Sequence, residues 1–186
     1  MTARGPRPAV PGITAEKDSE AMIRVDHAGE YGAVRIYEGQ LAVFDALNRD
    51  SKAADAIRAM AHQEQRHLQT FDRLVNQRKV RPTALEPVWR VAGFALGAVT
   101  ALMGEKAAMA CTAAVEEVID EHYASQLPRL NDDTELQSTV EEFRRDEIAH
   151  REEALAQGAE QAPGYRFLNE AIKSGCRLAI KLSERI

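Results

Sequence analysis

Apolar positions recur at three- and four-residue spacing along most of the chain, and nowhere do they alternate with the period of two that marks a half-buried strand. From about 20 to 47, Met22, Val25, Val34, Ile36, Leu41 and Phe44 mark a first helix, capped near Asp18 or Ser19. Asn48-Arg49-Asp50-Ser51 interrupts it. A second helix from 52 to about 77 carries Ile57, Met60, His67, Leu68, Phe71 and Leu74 at helical spacing. Pro82 and Pro87 bracket a break, and Pro87 suits the first turn of a third helix. That helix contains the uncharged run 91–104 (VAGFALGAVTALMG) and breaks at Gly104. A fourth spans 105–126 and stops before Pro128. Thr134-x-x-Gln137 reads as a capping box opening a fifth, to about 157, with Gly158 as its terminator. After Ala162-Pro163-Gly164 a last helix covers 165–184.

Connection lengths suggest the topology. The first and second helices are joined by a few residues, as are the fourth and fifth, so each pair should form an antiparallel hairpin. The link between hairpins, 79–104, is long. Two hairpins with one long crossover make an all-α, ferritin-like four-helix bundle, here with an apolar crossover helix and a C-terminal helix added. We expect one such domain over 18–186, preceded by a loose arm over 1–17. That arm has Pro6, Pro8 and Pro11 and no apolar stretch, so it does not read as a secretory signal.

Composition narrows the function. A net charge of −5 speaks against nucleic acid as a partner. Cys111 and Cys176 have neither the number nor the spacing for a disulfide framework or a zinc ribbon. The 91–104 run falls short of the roughly 20 apolar residues that span a bilayer, which points to a buried or interfacial helix.

The chemistry lies in a repeated motif. Glu64-Gln65-Arg66-His67 and Glu147-Ile148-Ala149-His150 both read E-x-x-H inside predicted helices, where i, i+3 residues share a face. Composition alone yields about 0.5 such pairs in this chain, so one copy would mean little. The setting is an internal duplication: Glu30 precedes Glu64 by 34 residues, and Glu116 precedes Glu147 by 31. At 1.5 Å of rise per residue, the lone Glu and the E-x-x-H of each hairpin fall at similar heights. Four carboxylates and two imidazoles then converge inside the bundle. That set suits two iron or two manganese ions, with two carboxylates bridging and two capping; zinc sites use fewer carboxylates.

Neighbours of these residues compete for the same roles. Glu117 stands beside Glu116, but Glu116 shares its face with Met109, Thr112, Ile119 and Tyr123. Glu38 competes with Glu30 from the wrong height, and His62 points away from the metal face. Asp26 and Asp120 are candidates to orient the ligand imidazoles from behind, with ordinary surface or capping roles as the alternative.

RVDHAGEYGA at 24–33, HQEQRH at 62–67, AVEE at 114–117, EHY at 121–123 and GCRLAIKLSER at 175–185 resemble the demethoxyubiquinone hydroxylase family of ubiquinone biosynthesis. The likeness runs from about Met22 to the C-terminus. It implies a di-iron monooxygenase that uses O2 to hydroxylate the ring of a polyprenylated demethoxyubiquinol. By position it implies Glu30 and Glu116 as terminal ligands, Glu64 and Glu147 as bridges, and His67 and His150 each on one Fe2+. It places His122 and Tyr123 close to the site, in substrate handling and electron transfer. It also implies an external reductant, NAD(P)H. No G-x-G-x-x-G is present to bind a dinucleotide.

The competing reading is a ferritin- or rubrerythrin-like protein that oxidises iron or reduces peroxide with the same six ligands. It would need neither the apolar run nor a cationic last helix. A hydroxylase of a polyprenylated quinol must meet its substrate at a membrane surface. Phe94, Leu96, Leu102 and Met103 are candidates to enter that surface, and Lys173, Arg177, Lys181 and Arg185 to face anionic lipid beside Leu168, Ile172, Ala179 and Leu182. The alternative is that the apolar run is core or a dimer contact and the basic stripe a solvated face; other ubiquinone-biosynthesis proteins are candidate partners. The short arm leads us to expect a bacterial protein at the cytoplasmic face of the inner membrane.

Overall fold

The computed structural model describes residues 13–185, with side chains from Asp18 onward. Residues 1–12 of the expected arm lie outside the described residues. Helix α1 (Ile13–Ala46) begins earlier than the cap expected at Asp18 or Ser19. Pro11 and Gly12, both unfavourable in a helix, stand immediately before it, and nothing between Ile13 and Ser19 halts a helix once started.

The remaining elements fall close to their expected places: α2 (Lys52–Arg78), α3 (Glu86–Leu102), α4 (Glu105–Gln126), α5 (Thr134–Ala156) and α6 (Tyr165–Ser183). Among the described residues there is no strand. Ser51 caps α2 by accepting the Ala54 N–H at 3.2 Å. Pro87 occupies the first turn of α3, and Gly104, at φ 119°, makes the sharp turn into α4 that other residues resist.

One cap differs from expectation. Asp133, not Thr134, caps α5, its carboxylate accepting the Leu136 N–H at 3.2 Å. A carboxylate is the stronger acceptor and its charge suits a helix N-terminus. Arg78, at the end of α2, holds that carboxylate with two hydrogen bonds and reaches Glu135 as well.

Helices α1 and α2 form one hairpin, α4 and α5 the other, and the four make the bundle. Crossover helix α3 lies flat on α1 because glycines let the two backbones touch. A Cβ on Gly97 would come within 1.9 Å of the Ile36 carbonyl oxygen, and one on Gly39 within 2.1 Å of that of Phe94. The Gly93-x-x-x-Gly97 spacing thus serves close helix packing. Helix α6 lies on the outer side of α4.

The bundle core has two apolar ends. Phe44, Ile57, Met60 and Met109 fill one; Ile23, Phe71, Leu74, Leu136 and Phe143 fill the other. The polar residues of the duplicated motif lie between them, walled off from water along the bundle axis.

Candidate metal centre and the cavity beside it

Helix geometry brings all six motif residues to one point. Glu30 comes from α1, Glu64 and His67 from α2, Glu116 from α4, and Glu147 and His150 from α5, all buried. They form two overlapping sets of ligand-type atoms: Glu30, Glu64, His67 and Glu147, and Glu64, Glu116, Glu147 and His150, each set lying within 4.8 Å. The Glu64 and Glu147 carboxylates belong to both. His67 Nδ1 lies 3.2 Å from Glu147 and 3.6 Å from Glu30, while His150 Nδ1 lies 3.1 Å from Glu64 and 3.5 Å from Glu147.

The atoms facing inward lack partners. Both carboxylate oxygens of Glu64 and of Glu147, one oxygen each of Glu30 and Glu116, and Nδ1 of both histidines are buried without a hydrogen bond. Eight orphaned polar atoms converging on one spot would be costly unless something compensates them. Burial pushes the Glu64 and Glu116 carboxyls well above the usual range, the Glu147 charge adding to it in both cases; burial raises Glu147 too. Burial opposes a charge on His67, yet its contacts with Glu147 and Glu30 carry it up to about 12. Such a cluster takes up protons unless cations replace them. Two divalent cations would balance four carboxylates with both imidazoles neutral, so the donor set fits a di-metal centre.

The outward-facing atoms are held from behind. His67 Nε2 meets Asp146 Oδ2 at 3.0 Å, and His150 Nε2 meets Gln63 Oε1 at 2.8 Å. Tyr37 donates to Glu116 Oε1 at 2.6 Å, and Tyr123 donates to Glu30. Burial first, then the Glu116 or Glu30 charge, keeps both phenols protonated far above the usual range. These residues mirror the duplication: Tyr37 and Tyr123 each follow their Glu by seven, and Gln63 and Asp146 each precede the Glu of E-x-x-H. Sequence reasoning missed Tyr37, Gln63 and Asp146, although comparing the two repeats position by position would have exposed them.

The remaining candidates fall elsewhere. Asp26 does not touch a ligand imidazole: it accepts from Gln126 at 2.6 Å and stands 3.2 Å from His122 Nε2. Asp120 binds Arg144 at 2.6 Å. The places behind the two imidazoles are taken by Asp146 and Gln63 instead. Glu117 faces α6 instead of the bundle interior, pairing with Lys173 at 2.6 Å and Arg151 at 3.1 Å. Glu38 pairs with Arg35 on the outside, and His62 is exposed.

A cavity of about 510 Å³ adjoins the cluster between α1, α3, α4 and α6. Its inner end is bordered by Glu30, Tyr123, His122 and Asp26; its walls are apolar, with Ala33, Ile36, Leu96, Val115, Leu168 and Ile172 prominent. Trp89 of α3 donates to Ser183 of α6 at 3.0 Å across one end. Leu96, Leu168, Ile172 and Ala179, expected at a lipid surface, instead line this cavity. Lys173 and Arg177, expected to face lipid, pair with Glu117 and Glu121 on α4. A chain folded against an acidic neighbour satisfies its basic residues there first.

An antiparallel bundle with Glu and E-x-x-H on alternating helices, all six side chains buried at mid-height, is the design of the ferritin-like di-metal carboxylate proteins. Within that class, the family model described as Ubiquinone biosynthesis protein COQ7 matches residues 17–183, and the chain belongs to this family. It is 56% identical over 168 residues to the 3-demethoxyubiquinol 3-hydroxylase of Rhodospirillum rubrum, covering 90% of this chain and 78% of that one. It is 48% identical over 184 residues to the mitochondrial NADPH-dependent 3-demethoxyubiquinone 3-hydroxylase of Homo sapiens, covering 94% and 83%. The mitochondrial 5-demethoxyubiquinone hydroxylase of Saccharomyces cerevisiae is 39% identical over 183 residues, covering 90% and 78%.

Proposed function

We propose that this chain is an O2-dependent monooxygenase that hydroxylates the ring of a polyprenylated demethoxyubiquinol in ubiquinone biosynthesis, with two Fe2+ ions as cofactor. The observation that carries the reading is the convergence of eight orphaned ligand atoms beside an apolar cavity. The names of the relatives support the substrate class. Glu30, Glu64, His67 and Glu147 would hold one ion, and Glu64, Glu116, Glu147 and His150 the other. Bound there, the irons would supply electrons to O2 and the oxidising power for ring hydroxylation.

The chain's own residues prepare the site for that chemistry. The apolar cavity accepts a quinol ring and the first part of its tail, and keeps water from the reacting carbon. Tyr123 fixes the Glu30 carboxylate at the cavity floor. Burial opposes a charge on His122, but its contact with Asp26 raises its pKa, so it can hold a proton at the cavity edge. External NAD(P)H is the proposed reductant, supported by the NADPH-dependent relatives.

We place the protein at the surface of a membrane, on the cytoplasmic face in a bacterium. Among the described residues no helix is long and apolar enough to cross one. Val91 and Leu102 on α3, Met103 just after it, and Phe167 and Leu178 on α6 are exposed, and both helices border the cavity. The test is turnover: purified protein with two irons per chain, O2, a reductant and a short-tailed demethoxyubiquinol should give the hydroxylated ring. Iron oxidation without ring hydroxylation would favour the ferritin-like alternative.

A further inference from the structure

The internal duplication lets the two imidazoles be compared position by position, and they differ in what holds the far nitrogen. His67 Nε2 faces the Asp146 carboxylate at 3.0 Å; His150 Nε2 faces the Gln63 amide oxygen at 2.8 Å. Asp146 and Gln63 occupy the same place in the two repeats. The surroundings differ as well. Arg66 donates to Asp146 at 2.6 Å and to Glu142 at 2.7 Å, and Phe143 stacks on His67 with ring centroids 3.9 Å apart. The equivalent positions of the other repeat hold Ala149 and Met60, which offer neither a cation nor an aromatic ring.

With Nδ1 given to a metal, Nε2 would carry the proton in both rings. A carboxylate draws on that proton more strongly than an amide does, and leaves Nδ1 a better donor to a metal. Arg66 offsets only part of this: its half-exposed guanidinium is screened by solvent, and it gives Asp146 Oδ2 a single hydrogen bond while its other nitrogen donates to Glu142. We propose that the two metal positions are inequivalent. The position offered by Glu30 and His67 holds its ion more tightly than the one offered by Glu116 and His150. Asp146 and Gln63 are the positioning residues that set the difference. The proposal rests on the di-metal reading above and adds an order of filling to it. The position filled first is the one beside the cavity, since Glu30 borders the cavity and Glu116 does not.

The test loads metal-free protein with one equivalent of Co2+, so that repulsion from a second ion does not enter. The readout is the hyperfine-shifted Nε2–H proton resonance of each imidazole in 1H NMR, assigned with His67→Ala and His150→Ala. In the natural sequence the His67 signal should exceed the His150 signal by about tenfold. Asp146→Asn should bring the ratio toward one. Gln63→Glu, a change at an exposed residue, should raise the His150 share, and it answers the question even if Asp146→Asn does not fold. Equal signals in the natural sequence, a larger His150 signal, or a ratio unmoved by Gln63→Glu would overturn the proposal while leaving the di-metal reading intact. No uptake of cobalt at all would overturn both.

Discussion

At the scale of single residues, the contrast between Glu116 and Glu117 shows how one step around a helix separates two kinds of chemistry. Glu116 is fully buried in the cluster, whereas Glu117 grips Lys173 and Arg151 on the outer side of α4. Replacing Glu64 or Glu147 by Ala removes a carboxylate shared by both ligand sets, and metal analysis should show loss of both ions together with hydroxylation. Glu117→Ala should keep the metal. It is not silent, however, because it strands the buried Lys173 ammonium, and denaturant unfolding should register a loss of about 1–3 kcal/mol. The two tyrosines separate in the same way. Tyr123 and Tyr37 make equivalent bonds to Glu30 and Glu116, but only Tyr123 reaches the cavity. We expect Tyr123→Phe to retain iron and slow turnover, with Tyr37→Phe affecting turnover less. Equal rates for both variants at full iron occupancy would assign Tyr123 a structural hydrogen bond alone.

Among the elements, the second hairpin depends on a contact across the bundle end. The hydrogen bonds from Arg78 hold the Asp133 carboxyl below its usual range, and its bond to the Leu136 N–H acts in the same direction. A depressed folded-state pKa means that the stabilisation is complete at neutral pH and is lost as pH falls through that value. Asp133→Ala should therefore lower stability by about 1–2 kcal/mol at pH 7. The gap between variant and natural sequence should close as pH drops below about 4, which thermal melts at the two pH values can follow. Elsewhere the elements were well marked in the sequence. Spacing placed α4 and the ends of α2 and α3, because Pro, Gly and Ser breaks coincide with the ends of apolar periodicity. The cap of α5 was misread because Asp133 and Thr134 are both good caps locally, and Arg78, which favours Asp133, is 55 residues away.

Across the whole molecule, α3 and α6 are what distinguish this bundle from a bare metal-binding one. They enclose the cavity with their inner faces and leave Val91, Leu102, Met103 and Phe167 exposed outside. Replacing Val91, Leu102 and Met103 with Ser should reduce co-sedimentation with vesicles. Changing Lys173 and Arg177 should act through stability more than through lipid charge, since α4 already pairs both. Vesicle binding unaffected by the apolar substitutions would remove these residues from the proposed membrane contact.

The sequence by itself determined the helices, the two hairpins and the six converging side chains. These follow from short-range periodicity, turn residues and a spacing repeated in both halves, all of which are local or nearly so. Only the tertiary structure decided which groups stand behind the six converging side chains, that Asp26 serves His122 and neither His67 nor His150, and that Lys173 and Arg177 of α6 face α4. It also decided that the apolar faces of α3 and α6 line a cavity beside Glu30. Those contacts join residues from 56 to 96 positions apart. A face that is apolar or basic in sequence carries no mark of whether lipid, a cavity or a neighbouring helix will meet it; the packing angle of the helices settles that.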